Sequence, residues 1–219
     1  MAAMERVNCD HITAMSGFVR GLRRVPIARR LALRQGATMV SLRCATLEDG
    51  AAVARIYAPI VRDTFISFEE EPPSPAEMSA RIEATSLTHP WLVAELDGGV
   101  VAYAYASPHR SRPAYRWSCD VSVYVDEDAR RMGAARGLYD RLFETLKDLG
   151  YANAFAGIAL PNASSVGFHE RMGFEPIGVY PRVGFKRGSW RDVGWWSRPI
   201  QDLGERPAAP RPYNAGLSA

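Results

Sequence analysis

The chain has 219 residues, 47% hydrophobic and 23% charged, with a formal net charge of +3. That composition describes one ordinary globular domain, or one domain with tails, and no apolar run reaches the roughly 20 residues of a membrane-spanning helix. Cys9, Cys44 and Cys119 are unevenly spaced, with no C-x-x-C and no paired His, which argues against a disulfide framework and a zinc site; no metal is expected, and a reducing cytoplasm fits best.

The positive charge is concentrated at the start. Residues 1–38 carry Arg6, Arg20, Arg23, Arg24, Arg29, Arg30 and Arg34 against Glu5 and Asp10. Setting these aside leaves 20 basic and 22 acidic residues, so the body is mildly acidic and nucleic acid is not an implied partner. The N-terminal stretch has no strand alternation, and Pro26 interrupts its one helical patch. An Arg-rich, acid-poor start reads as a targeting peptide or a membrane-surface arm or, more plainly, as a flexible arm or translated sequence upstream of a start at Met39. The last reading is favoured, with no membrane partner expected, because a complete domain follows at once. The expected layout is an arm at 1–38, a domain at 39–200 and a loose Pro-, Gly- and Ala-rich tail at 201–219.

Val40 to Ala45 reads as the first strand. Thr46-Leu47-Glu48-Asp49 resembles a capping box with Asp in place of Glu, and predicts a helix running to about Arg62. Ser74-Pro75-Ala76-Glu77 is a stronger box, with Pro at the first helical position, and its helix ends near Thr88. Between them the loop Asp63–Pro73 holds Phe65, Ile66 and Phe68 beside Glu69, Glu70 and Glu71, aromatics that either anchor in the core or wall a pocket. Trp91–Leu96, Asp97-Gly98-Gly99 and Val100–Ala106 form a hairpin signal. A polar connection, Ser107–Pro113, leads to a central strand over 114–125. Met132, Ala135, Leu138, Leu142, Leu146 and Leu149 then recur at helical spacing, and Gly150 stands just past the end. A strand (152–159), a short helix (162–172) and two strands (174–185 and 190–197) complete a βααβββαβαββ order, which requires a mixed sheet flanked by helices, an α/β arrangement of the α+β kind.

The connection from central strand to long helix carries the chemistry. Backbone N–H groups at a helix start lack intrahelical partners and carry about half a positive charge. Gly133 lets an anion approach them, and Arg130, Arg131 and Arg136 add full charges, so the turn is built as a phosphate cradle. It lacks the Lys-Ser/Thr of a nucleotide P-loop and is no G-x-G-x-x-G turn. Read blandly, it is a tight turn with a solvated Arg cluster.

Arg130-Arg131-Met132-Gly133-Ala134-Ala135 resembles the Q/R-x-x-G-x-G/A loop of the GNAT superfamily of acyl-CoA N-acyltransferases, whose amides bind the pyrophosphate of acetyl-CoA. The element order is also that of the GNAT fold. Within the superfamily, Pro90–Glu95, Ala114–Trp117, Val123–Val125, Leu160-Pro161-Asn162, Phe168–Phe174 and Val183–Gly194 look like phosphinothricin N-acetyltransferases of the bialaphos-resistance type. These enzymes acetylate the amine of a glutamate analogue. The likeness spans about Leu42 to Ile200.

The resemblance implies roles residue by residue. The backbone of Val123, Tyr124 and Val125 would bond the pantetheine arm of acetyl-CoA. Arg130, Arg131, Met132, Gly133, Ala134, Ala135 and Arg136 would hold its pyrophosphate, and Asn162, also a plain helix N-cap, would touch it. His169 occupies the place of the family's His-Glu pair, although a lone helical His is more often structural. Asp120 stands where the family usually has Glu. An α-amino group, with a pKa of roughly 8, is mostly protonated at pH 7, so a carboxylate near the acetyl carbon can accept its proton, directly or through water. Asp is shorter by roughly 1.5 Å. Its bland reading is a polar strand residue on the face of Ser118, Ser122 and Tyr124, opposite Cys119.

Arg112 and Tyr115 match the segment that recognises substrate in the family, Phe68 is a further candidate substrate contact, and Arg116, which is not typical there, joins Lys186 and Arg187 as cations that could meet an anionic group. Ser67-Phe68-Glu69-Glu70 departs from the usual pattern, which leaves the amine open. The expected activity is acetyl-CoA-dependent N-acetylation of a small amino acid or glutamate analogue, by a cytoplasmic homodimer. A silent acyl-CoA-binding or regulatory module, or a GNAT enzyme for a different amine, is the alternative.

Overall fold

The computed structural model describes residues 31–35 and 38–213. One eight-stranded mixed sheet runs in the order β1-β2-β3-β4-β5-β6-β8-β7. Its strands are β1 (Leu31–Gln35), β2 (Thr38–Cys44), β3 (Trp91–Leu96), β4 (Gly99–Pro108), β5 (Ser118–Val125), β6 (Asn153–Leu160), β7 (Glu175–Lys186) and β8 (Ser189–Pro199). All neighbours are antiparallel except β5 and β6, whose parallel pairing is the crossover made through a helix.

Four helices cover the sheet: α1 (Gly50–Asp63), α2 (Pro75–Ser86), α3 (Ala134–Leu149) and α4 (Ala163–Arg171). The helix starts follow from local chemistry. At α2, Ser74 N donates to Glu77 Oε2 at 2.7 Å, and Ser74 Oγ accepts from Glu77 N at 3.3 Å, the reciprocal pair that Ser-Pro-Ala-Glu encodes. Helix α3 buries Leu138, Leu142 and Leu146 completely against Ala104, Val121 and Ala154 of the sheet. Each such leucine contributes about 1.5–3 kcal/mol. A second core, beneath α1 and α2, packs Val53, Ile56, Val61 and Ile82 on Trp91, Val93 and Tyr103. Alternation along β5 divides the two: Cys119 and Val121 enter the first core, while Tyr124 packs against the second.

Three boundaries differ from expectation. The domain does not begin at Met39: β2 already starts at Thr38, and β1 extends the sheet by five residues from the segment read as an arm. Residues 1–30 lie outside the described residues. The central strand starts at Ser118, because Pro113–Tyr115 form a 3-10 turn that begins on Pro, whose fixed φ suits a helical first position.

The tail is not loose as far as Tyr213. Gln201 caps the carbonyls of Lys147 and Tyr151, Arg211 N donates to Leu149 O, and the Trp117 indole donates to Ala208 O. Tyr213 is buried, with its hydroxyl on Cys44 Sγ. Composition concealed this, because Pro and Gly mark the absence of regular structure and not the absence of contacts. Tyr213→Ala is expected to cost about 3 kcal/mol, the usual scale for deleting a buried aromatic side chain. Calorimetry would show a melting temperature lower by roughly 10 °C.

Candidate active site

Strands β5 and β6 pair for only three residues: Ser118 with Asn153, Cys119 with Ala154, and Asp120 with Phe155. Beyond Asp120 they part. β6 stays bound to β8 along Asn153–Leu160, and β5 stays bound to β4 as far as Val125. Among the described residues, the β6-facing edge of Val121–Val125 therefore presents free backbone donors and acceptors into the opening between the strands. Such groups need partners when they are covered. An extended amide chain entering this wedge would complete the ladder.

Asp120 sits at the apex of the opening. Its Oδ1 lies 2.6 Å from His109 Nδ1. Burial raises the Asp120 carboxyl above its usual range, opposed by the hydrogen bond and charge of His109 and by the charge of Arg110. The His109 ring stacks on Phe155, with centroids 4.2 Å apart, and meets the edges of Tyr115 and Trp195 at 6.2 and 6.0 Å. Sequence reasoning placed His109 in a polar connection and missed it. The available signal was the hairpin register: Ser107 pairs with Asp120 and Pro108 with Cys119, so the next residue leaves the strand beside the carboxylate. Cys119 points into the core on the other face, where burial raises its thiol pKa, so it is no nucleophile.

Beyond β5, the turn Arg130–Gly133 leads into α3. Arg131 and Gly133 both take left-handed backbone, with φ of 67° and 80°. Alternation of this kind turns successive amides toward one side, forming an anion-binding concavity. Among the described residues, the amides of Arg131 to Arg136, and so of Met132, Ala134 and Ala135, meet no protein acceptor. Arg130 pairs with Glu127, and Arg136 weakly with Asp140, all at the exposed surface. The free β5 edge and this free-amide turn fit an acyl-CoA: one takes the amide-bearing arm, the other the phosphates.

On the face of Asp120 lies a cavity of about 110 Å³ lined by Tyr57, Met78, Arg81, Thr85, Trp91, Tyr103 and Tyr105. Trp91 stacks on Tyr105 at 4.3 Å, and its indole N–H is buried without a partner. The loop between α1 and α2 borders this region and is held from β7. Phe68 covers Gly184, where a Cβ would lie 2.4 Å from its ring. Lys186 Nζ donates to the carbonyls of Val61, Ser67 and Glu69 at 2.6, 2.8 and 2.6 Å. Lys186 is therefore not a cation free to meet a substrate, whereas Arg187 is exposed and donates a single bond to Arg62 O. Glu69 forms a two-pronged pair with Arg81 and accepts from Tyr57. Arg112 is exposed, and Tyr115 projects beside His109.

His169 is not brought to Asp120. It is buried among Tyr139, Phe168 and Phe174, and burial lowers its pKa. Its Nδ1 lies 2.8 Å from Ser165 O and must donate, so Nε2 accepts from the Tyr139 hydroxyl at 3.0 Å. Both nitrogens are thereby occupied, Nδ1 within α4 and Nε2 in tying α4 to α3. Asn162 caps α4, with its Oδ1 accepting from Ser165 N at 3.1 Å.

The model of the GNAT acetyltransferase domain matches residues 42–195. A phosphinothricin N-acetyltransferase of Streptomyces viridochromogenes is 38% identical over 79% of the chain and 92% of that protein. An L-methionine sulfoximine/L-methionine sulfone acetyltransferase of Pseudomonas paraeruginosa is 34% identical over 70% of the chain and 90% of that protein. The crystal structure of a phosphinothricin acetyltransferase from Sinorhizobium meliloti in complex with acetyl-CoA superposes with a TM-score of 0.74 at 34% identity, covering 77% of this chain and 93% of that one.

Proposed function

The chain belongs to the GNAT family of N-acetyltransferases, and from that premise we propose that it transfers acetyl from acetyl-CoA to the amine of a small amino acid or glutamate analogue such as phosphinothricin. The observation that carries this reading is the position of Asp120, the last β5 residue paired to β6, at the head of the free edge that leads to the amide-lined turn. In this reading the backbone of Val123, Tyr124 and Val125 holds the pantetheine arm. The amides of the Arg130–Arg136 segment hold the pyrophosphate, and Asn162 closes on the cofactor from the start of α4. The cavity by Trp91 and Tyr105 receives the side chain of the amine, while Phe68 and Tyr115 are further substrate contacts and Arg112 meets the acidic group of the amine substrate. Carboxylate-assisted deprotonation at Asp120 gives the neutral amine that attacks the thioester directly.

Thiol release with acetyl-CoA and a panel of amines tests this. Turnover with phosphinothricin, methionine sulfone or another amino acid supports it. Acetyl-CoA binding without thiol release for any amine would overturn it in favour of a silent acyl-CoA-binding module.

The same chain is proposed to work as a homodimer. Ile177, Val179, Tyr180, Val183, Phe185 and Trp190 are all about half exposed on the hairpin of β7 and β8, and β7 is an edge strand. Clustered exposed apolar residues on an edge mark an association surface. Ile177→Arg combined with Val183→Arg is expected to convert the dimer to monomer in sedimentation at micromolar concentration. A parent chain that is itself monomeric would refute the proposal.

A further inference from the structure

We propose that His109 is the base that takes the proton of the amine, with Asp120 as its positioning residue. The inference rests on the acetyltransferase reading above and assigns the proton within it. Three observations carry it. First, Asp120 Oδ1 and His109 Nδ1 are 2.6 Å apart, a charge-assisted distance. A carboxylate only accepts, so Nδ1 carries the hydrogen and Nε2 of the neutral ring keeps its lone pair. Second, among the described residues Nε2 has no hydrogen-bond partner, whereas both nitrogens of His169 are engaged. Third, the ring is held in place: it stacks on Phe155, the last β6 residue paired to β5, and is flanked by Tyr115 and Trp195. The base is thereby fixed at the apex of the opening that receives the thioester. An imidazole between the carboxylate and the amine also spans the distance lost when Asp stands where the family usually has Glu.

The step balances as follows. The substrate ammonium gives one proton to Nε2, leaving a neutral amine and an imidazolium held by the Asp120 carboxylate. The amine lone pair forms the C–N bond to the acetyl carbon, and the C–S bond breaks. The second amine proton leaves with the thiolate as thiol, and the imidazolium returns its proton to water. The groups facing His109 are Asp120 on β5, Tyr115 on the 3-10 turn, Arg110 beside it, and the uncharged rings of Phe155 and Trp195.

Two variants and one spectrum test it. His109→Phe keeps the stacking on Phe155, and His109→Gln keeps a donor to Asp120, yet neither can take a proton. Both are expected to lower kcat by about 10²-fold or more with acetyl-CoA affinity intact, and His109→Gln with Asp120→Asn together should be no worse than either alone, because groups acting as one unit are not additive. In the unliganded chain, ¹⁵N spectra at pH 8 should show His109 as the Nδ1–H tautomer. An Nε2–H tautomer, or His109→Phe within threefold of the parent while Asp120→Asn is impaired, would overturn the inference and leave Asp120 as sole base, with the acetyltransferase reading standing. Absence of thiol release from the unaltered chain with every amine would instead remove that reading and this inference with it.

Discussion

Asp120→Asn is expected to lower turnover by about 10²-fold or more while the acetyl-CoA dissociation constant stays within about twofold, because general-base catalysis supplies 10²–10⁴-fold and contributes nothing to holding the phosphates. The reason is sharper than loss of one charge. Asn keeps the shape of Asp, but its amide nitrogen can donate to His109 Nδ1, which would move the ring hydrogen to Nε2 and remove the free lone pair. Raising pH should restore part of the rate, since a larger fraction of the amine is then already neutral. In the parent, burial holds the Asp120 carboxyl above the ordinary range, so activity on the acid side should fail at a higher pH than for a solvated aspartate.

Asp120→Glu separates two ways in which a shorter acid could replace the family's longer one. If Asp120 worked through a loosely held water, Glu would be tolerated. With a 2.6 Å contact to a ring already stacked on Phe155, an added methylene would push the carboxylate against that ring. Overpacking of that kind costs about 1–3 kcal/mol. Asp120→Glu is therefore expected to raise KM for the amine more than for acetyl-CoA. Adding His109→Ala should relieve the crowding and return activity toward the parent, since the longer carboxylate then reaches alone. A double variant no better than Asp120→Glu would show that the imidazole, and not the space it fills, is what the site requires.

Alternation along Trp117–Val125 was enough to send Cys119 and Val121 into the core and Asp120 to the opposite face, because a strand's period of two leaves little freedom. The turn before α3 was equally legible, since Gly between a strand and an amphipathic helix has few alternatives. The His109–Asp120 contact was not, because it depends on the register of β4 against β5, and register is fixed by pairing that no single segment contains. Lys186 illustrates the same limit at longer range. In sequence it is a basic turn residue, and in the fold it binds three carbonyls more than a hundred positions away. His169 was misleading for the opposite reason: the segment around it carries the family pattern, but the ring is occupied by Ser165 O and Tyr139.

Gly133→Val is expected to weaken acetyl-CoA binding by roughly 10- to 100-fold, as the loss of one hydrogen bond to a charged group, about 1.5–3 kcal/mol, would do. Gly133 has φ 80° at the N-cap of α3. A residue with a Cβ in left-handed backbone costs about 1–2 kcal/mol, and a β-branched one tends to leave that region altogether. The turn would then rotate its amides away from their common point. Unfolding is not expected, because α3 remains anchored by Leu138, Leu142 and Leu146. Arg131→Gly is the companion that separates backbone from charge. Arg131 already holds φ 67°, so Gly relaxes strain there while deleting a cation. If the amides do the binding, Arg131→Gly should lose no more than about fivefold in affinity, with the loss shrinking at high salt, and should melt slightly higher than the parent. Gly133→Val should lose its affinity at every salt concentration. Titration calorimetry of both variants at low and high salt decides between the two origins, and equal, salt-sensitive losses would assign the phosphate site to the arginine side chains instead of the turn.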